Sequence, residues 1–189
     1  MTDPLNSFVL QTDSPIGICV GANVSPFTDK HRALLRTLKL SGSKVSADKL
    51  HLTIIFSKQH VELASVEQAL QLYKLPLNVK IVGAAAFDSP QAGDKVRTEE
   101  LATLVLKLDC PELLELHAAC KKLGCTHPYP ELSPHVSLFY GVPKADCQAA
   151  VDILSELISK LEEPLYVELN KLYVEPLLPD WTVKNINKR

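Results

Sequence analysis

A short apolar run that opens on histidine occurs twice in this 189-residue chain. The first copy is His51-Leu52-Thr53-Ile54-Ile55-Phe56, and the second, 84 residues later, is His135-Val136-Ser137-Leu138-Phe139-Tyr140. Both are rich in β-branched and aromatic residues and read as strands buried on at least one face. Successive side chains on a strand point to opposite faces. Strict alternation therefore places His51 and Thr53 on one side and Leu52, Ile54 and Phe56 on the other. In the second copy it sets His135 and Ser137 against Val136, Leu138 and Tyr140. Each strand offers an imidazole and a hydroxyl from an otherwise apolar scaffold, and two such pairs facing each other can hold one phosphate.

The segments around the two strands repeat as well. Residues 16–24 read as a small-residue strand containing Gly17 and Gly21. Ser25 and Pro26 then suit the start of a helix that runs to about Leu40. After the first histidine strand come a helical pattern from Val61 to Leu72, a stop at Pro76 and a strand over 77–87. Residues 88–95 read as a turn. The cycle then restarts with a strand over 101–108 and a helix from Pro111 that ends at Gly124. The second histidine strand, an amphipathic helix over 144–161 and an alternating strand over 165–174 complete it. Trp181 to Ile186 suggests a last edge strand. Ile18 and Ala102 each lie 33 residues before their histidine, so the spacing is that of a duplicated supersecondary unit. The expected architecture is an α+β fold with two pseudo-symmetric lobes, about 16–88 and 101–175, whose antiparallel sheets flank a central cleft. Residues 176–189 form a C-terminal extension.

Composition narrows the partners. Hydrophobic residues are 46% and charged residues 22% of the chain, ordinary for a globular protein. A net charge of -2 argues against a long nucleic acid held by phosphate neutralisation; a small anion needs only a local pocket. The five cysteines have no C-x-x-C pair and read as small buried hydrophobes in a reducing cytoplasm. The polar N-terminal stretch lacks the apolar centre of a signal peptide, and no run is long enough to span a bilayer. The expected location is cytoplasmic.

An isolated H-x-[ST] match carries little information in a chain with six histidines. Here both matches fall on apolar strands at the same place in the repeat. Burying two unpaired imidazoles in a core would be costly, which favours a shared site over two core histidines. In-line displacement at phosphorus needs a base, an acid and donors to the non-bridging oxygens. Two imidazoles titrating near neutrality can divide the proton work, while Thr53 and Ser137 donate to the oxygens. Neither strand carries a carboxylate beside its histidine, so no metal or other cofactor is expected. Glu131 reads as solvated. His31, His60, His117 and His127 read as surface or structural, and Lys58 is a weak candidate for the mouth of the cleft.

The two H-x-[ST] strands, the duplicated layout and the chain length resemble the two-histidine (2H) phosphoesterase superfamily over about 16–175. Within it, Val20-Gly21, the stretch from Leu50 to Lys58 and the run from Pro128 to Ser137 look like phage anti-CBASS phosphodiesterases. That resemblance implies a metal-independent phosphodiesterase of the host-cell cytoplasm. It would cleave 3′–5′ bonds of cyclic di- and trinucleotide immune signals to linear products, directly or by way of a 2′,3′-cyclic phosphate, with His51, Thr53, His135 and Ser137 as the catalytic set. It also carries over Glu175 and Trp181 as base-binding residues; stacking on an aromatic is worth about 1–3 kcal/mol per base. Cys19 stands where those enzymes are expected to have a first-strand aromatic. Tyr129 is a further candidate for lining the cleft. The same chemistry also suits RNA ends, 2′,3′-cyclic phosphates or 2′–5′ linkages. A non-catalytic nucleotide sponge would not need both histidines.

Overall fold

The computed structural model describes residues 17–59, 61–88, 101–129 and 131–177. In order, the elements are β1 (Gly17–Val24), α1 (Asp29–Leu35), β2 (Ser43–Lys44), a 3₁₀ turn (Ala47–Lys49), β3 (His51–Ser57), α2 (Leu63–Leu70) and β4 (Leu77–Asp88). The second half holds β5 (Leu101–Asp109), α3 (Pro111–Lys122), β6 (His135–Pro143), α4 (Lys144–Ser159) and β7 (Tyr166–Leu177). Both repeats thus follow the expected order, and the fold is α+β. The helix ends have local causes. α3 opens on Pro111 with Glu112 in its first turn and closes on Lys121 and Lys122, which suits the helix dipole. Gly124 follows at φ +97°. α1 begins later than expected, capped by Thr28 rather than Ser25, whose hydroxyl instead donates to Glu168. It also ends earlier. The Thr37 hydroxyl bonds back to the Leu34 carbonyl, and the Leu38 N–H turns onto Leu35, so the last turn tightens and the helix stops.

All seven strands belong to one antiparallel sheet, ordered β2-β6-β5-β4-β7-β1-β3. The two expected sheets are therefore joined. The join is narrow, since β4 and β7 pair only from Leu77–Lys80 to Tyr166–Leu169. Beyond that, β4 continues beside β5 and β7 beside β1. The repeats have exchanged their last strands, giving one wing of β6-β5-β4 and another of β7-β1-β3. Laid flat, β3 and β6 would lie about 24 Å apart at normal strand spacing. Instead they touch, so the sheet curls until the two histidine strands meet. The helices pack on one face of it. Leu52, Ile54, Leu104, Leu106, Val136 and Leu138 from the strands join Leu113, Leu116 and Leu154 from the helices in a continuous core.

Strict alternation fails on both histidine strands, and it fails at the same place. Val20 pairs with Ile55 and Gly21 with Thr53, leaving Ile54 as an extra residue on β3. Leu104 pairs with Phe139 and Val105 with Ser137, leaving Leu138 extra on β6. These are matched β-bulges 84 residues apart. Each buries two consecutive apolar residues, Ile54 with Ile55 and Leu138 with Phe139, and reverses the phase of the residues after it. Phe56 and Tyr140 therefore lie on the histidine face, opposite to the expectation from alternation.

Candidate active site

The strand register defines a second face, away from the helices. In the β7-β1-β3 wing, His51 lies beside Asn23 and Lys171, Thr53 beside Gly21 and Tyr173, and Phe56 beside Cys19 and Glu175. In the β6-β5-β4 wing, His135 lies beside Lys107 and Gly83, and Ser137 beside Val105 and Ala85; Thr103 and Phe87 follow along β5 and β4. All four tetrad residues thus share one face of the curled sheet, and each is half-buried.

Both imidazoles are held in the same way. The His51 Nδ1–H donates to the Lys49 carbonyl at 2.9 Å, and the His135 Nδ1–H donates to the Ser133 carbonyl at 2.7 Å. A carbonyl can only accept, so Nδ1 carries a proton in both rings and Nε2 is left as the nitrogen that can take or give one. The anchoring carbonyls come from residues two before each histidine and are themselves related by the repeat. The His135 ring also senses its surroundings. Burial holds His135 below the ordinary histidine range, the bond to Ser133 works against this, and the charge of His51 lowers it further.

The surroundings of the two rings differ. Phe87 sets its ring against His135, centroids 4.8 Å apart and planes at 81°. In the other wing the corresponding position is Glu175, which is 6% exposed. Together with burial, the larger effect, its carboxylate pushes the Cys19 thiol up to about 12. Between Glu175 and His51 lies Tyr173, also buried. Its hydroxyl end rests against Gly21, where any Cβ would collide with the ring and come within 2.8 Å of the Leu52 carbonyl oxygen. A glycine inside a strand often marks such a close approach. Gly21 is thus the sequence signal for Tyr173, a residue that lies outside both motifs.

The remaining candidates are less central. Tyr129 is exposed and touches the His127 ring. His127 in turn accepts the Phe56 N–H at 3.4 Å, so Tyr129 stands at the outer edge of β3. Trp181 lies outside the described residues, as do His60 and the suggested edge strand at 181–186. His31 is structural: it bonds Thr28 and the Tyr166 carbonyl and stacks on Phe27. All five cysteines are buried and free. Among the described residues no group of three or more His, Cys, Asp or Glu is placed to hold a metal ion, and no helix is long and apolar enough to cross a membrane.

Comparison with known proteins finds relatives over most of the chain. The profile of the family described as Anti-CBASS protein Acb1 matches residues 17–184. Anti-CBASS protein Acb1 of Salmonella phage S16 is 29% identical over 173 residues, covering 90% of this chain and 94% of the relative. That of Vibrio phage KVP40 is 26% identical over 153 residues, covering 80% and 81%. Among solved structures, Kluyveromyces marxianus Usb1 shares the fold with a TM-score of 0.53 at 11% identity, covering 84% of this chain and 93% of the other.

Proposed function

The chain belongs to the Acb1 family of anti-CBASS proteins, and from that premise we propose that it is a phosphodiesterase that linearises cyclic di- and trinucleotide signals in the host cytoplasm. One observation carries the reading. Two imidazoles, one from each repeat, are locked with Nε2 free and stand close enough for one charge to disfavour the other. That arrangement suits a pair that holds one proton between its members as a phosphate is attacked.

The unequal settings divide the labour. Burial keeps His135 neutral, so its Nε2 takes the proton of the attacking ribose 2′-hydroxyl. The new P–O2′ bond forms in line with the P–O5′ bond that breaks. His51, protonated at Nε2 and steadied through Nδ1, gives its proton to the departing 5′-oxygen. Thr53 and Ser137 donate to the two non-bridging oxygens as charge builds there. The product at this stage carries a 2′,3′-cyclic phosphate, which water can open with the proton roles reversed. Side chains supply every proton and donor in this sequence of steps, so the reaction needs no metal. Glu175 and Trp181 are the proposed contacts to one base, and Tyr129 lines the approach.

The test is incubation with cyclic dinucleotides, cyclic trinucleotides and 2′,3′-cyclic mononucleotides in excess EDTA, with products resolved by chromatography. The reading expects linear products from the cyclic oligonucleotides. Loss of turnover on chelation would sink the metal-free mechanism. Turnover restricted to the 2′,3′-cyclic mononucleotides would move the substrate to RNA ends, and tight binding without turnover would make the protein a sponge.

A further inference from the structure

The repeat makes the two histidines formal equivalents, and the backbone bonds to their Nδ1 atoms keep that equivalence. Side-chain packing breaks it. Phe87 is the last apolar residue of β4 and belongs to neither the motif nor the helix-packed core. In register it faces Thr103, not the Lys107 that pairs with His135. Its contact with His135 is therefore diagonal, reaching over β5 past the small side chains of Val105 and Ala85. Nothing local requires an aromatic there, since the equivalent place in the other wing holds Glu175. One residue beyond Phe87, Asp88 is paired with Lys144 at 3.0 Å, which anchors the end of β4.

We infer that Phe87 is a positioning residue for His135: its ring fixes the plane of the imidazole and keeps water from it, so that His135 enters each turnover neutral and aimed. The inference rests on the preceding reading of His135 as the base. The charged and titratable groups around the ring agree with it. Lys107 on β5 is its cross-strand neighbour; His51 on β3 disfavours an imidazolium, and the Ser133 carbonyl, which favours one, is outweighed by burial. An aromatic surface at this spot adds to that burial without adding charge. Perpendicular packing also blocks rotation about the last side-chain bond of the histidine, which the Nδ1 bond alone would hold at only one point.

The experiment follows the His135 ring directly. Proton–carbon NMR titration of the full chain is run for the wild type, Phe87→Ala and Phe87→Leu, beside kcat and KM on a cyclic dinucleotide across pH. In Phe87→Ala the His135 midpoint is expected to rise toward the ordinary histidine value. The acid limb of kcat should rise with it, and kcat below neutrality should fall about tenfold with KM little changed. Phe87→Leu keeps the apolar volume and is expected to restore the midpoint and most of the turnover. A Phe87→Ala midpoint at the wild-type value overturns the inference, as does a loss of kcat that is uniform across pH. If Phe87→Ala proves unfolded by circular dichroism, Phe87→Val is judged by the same criteria. A wild type that turns over no cyclic oligonucleotide, with the His135 midpoint still following residue 87, would refute the substrate reading alone.

Discussion

The two wings of the sheet follow one plan and differ in what surrounds it. Both retain the histidine, the hydroxyl two residues on, the carbonyl that holds Nδ1 and the bulge after them. Their neighbours have separated. The β7-β1-β3 wing surrounds its histidine strand with Tyr173, Glu175, Cys19 and Asn23, which can form hydrogen bonds. At the matching places the β6-β5-β4 wing has Ala85, Phe87, Thr103 and Lys107, so the polar Tyr173 and Glu175 of the last strand give way to apolar residues, and Gly21 gives way to Val105. The shared parts are those that, in the proposed reaction, present two imidazoles to one phosphorus. The divergent parts would meet the rest of a ligand, or tune one imidazole against the other. A doubled fold can thus keep its reaction centre symmetric while its rims specialise.

The largest expected effect tests the shared part. His51→Ala and His135→Ala should each lower kcat on a cyclic dinucleotide by about 10² to 10⁴ while far-ultraviolet circular dichroism stays as in the wild type. A variant that keeps more than about a tenth of the activity would break the idea that both wings take part in acid–base catalysis. Next comes an exchange between wings. Gly21→Val imports the residue that Val105 supplies in the other wing, and it should cost about 3 kcal/mol or more from overpacking, read as a fall in Tm. Adding Tyr173→Ala copies the Val105/Ala85 pair and should recover part of that loss; the remainder reflects the nearby Leu52 carbonyl.

Thr53→Ala and Ser137→Ala should each slow kcat by about 10², with KM little affected. Strongly unequal losses would show that the phosphate leans on one wing. The smallest effect is acid sensitivity. His31, His117, His127 and His135 are all held below the ordinary value of 6.5, His127 down to about 4 by burial and then by His117 and Lys121. The unfolded chain therefore takes up these protons before the folded one does. Their contribution to stability is full above pH 6.5 and declines as pH falls toward about 4. Because His127 accepts the Phe56 N–H, protonation there loosens β3. Hydrogen exchange at about pH 5, inside that window, should accelerate in β3 before it does in β5, and uniform acceleration would erase that difference between the wings.

Much of the molecule was legible in the sequence because it depended on local pattern. The strands, most of the helices and the doubled order follow from apolar periodicity, caps and stops. Two adjacent apolar residues, Ile54-Ile55 and Leu138-Phe139, also announced the bulges, yet alternation alone sent Phe56 and Tyr140 to the wrong face. The strand exchange was hidden. β4 pairs with β5, its successor in the chain, but β7 pairs with β1 about 150 residues away, and sequence periodicity carries no information about partners. Phe87 looked like the end of a strand, since its contact with His135 exists only once the sheet curls. Tyr173 was signalled only by Gly21 on another strand.

The exchange of last strands has a consequence for how the molecule comes into being. β1 emerges first from the ribosome and can pair early with β3, but its other edge stays open until Tyr166–Leu177 has been made. The β6-β5-β4 wing has no such wait, because its strands are complete by Pro143. Maturation is therefore lopsided: one half can settle while the other keeps a bare edge, and a transcript cut short before its final stretch leaves that edge of β1 without its strand.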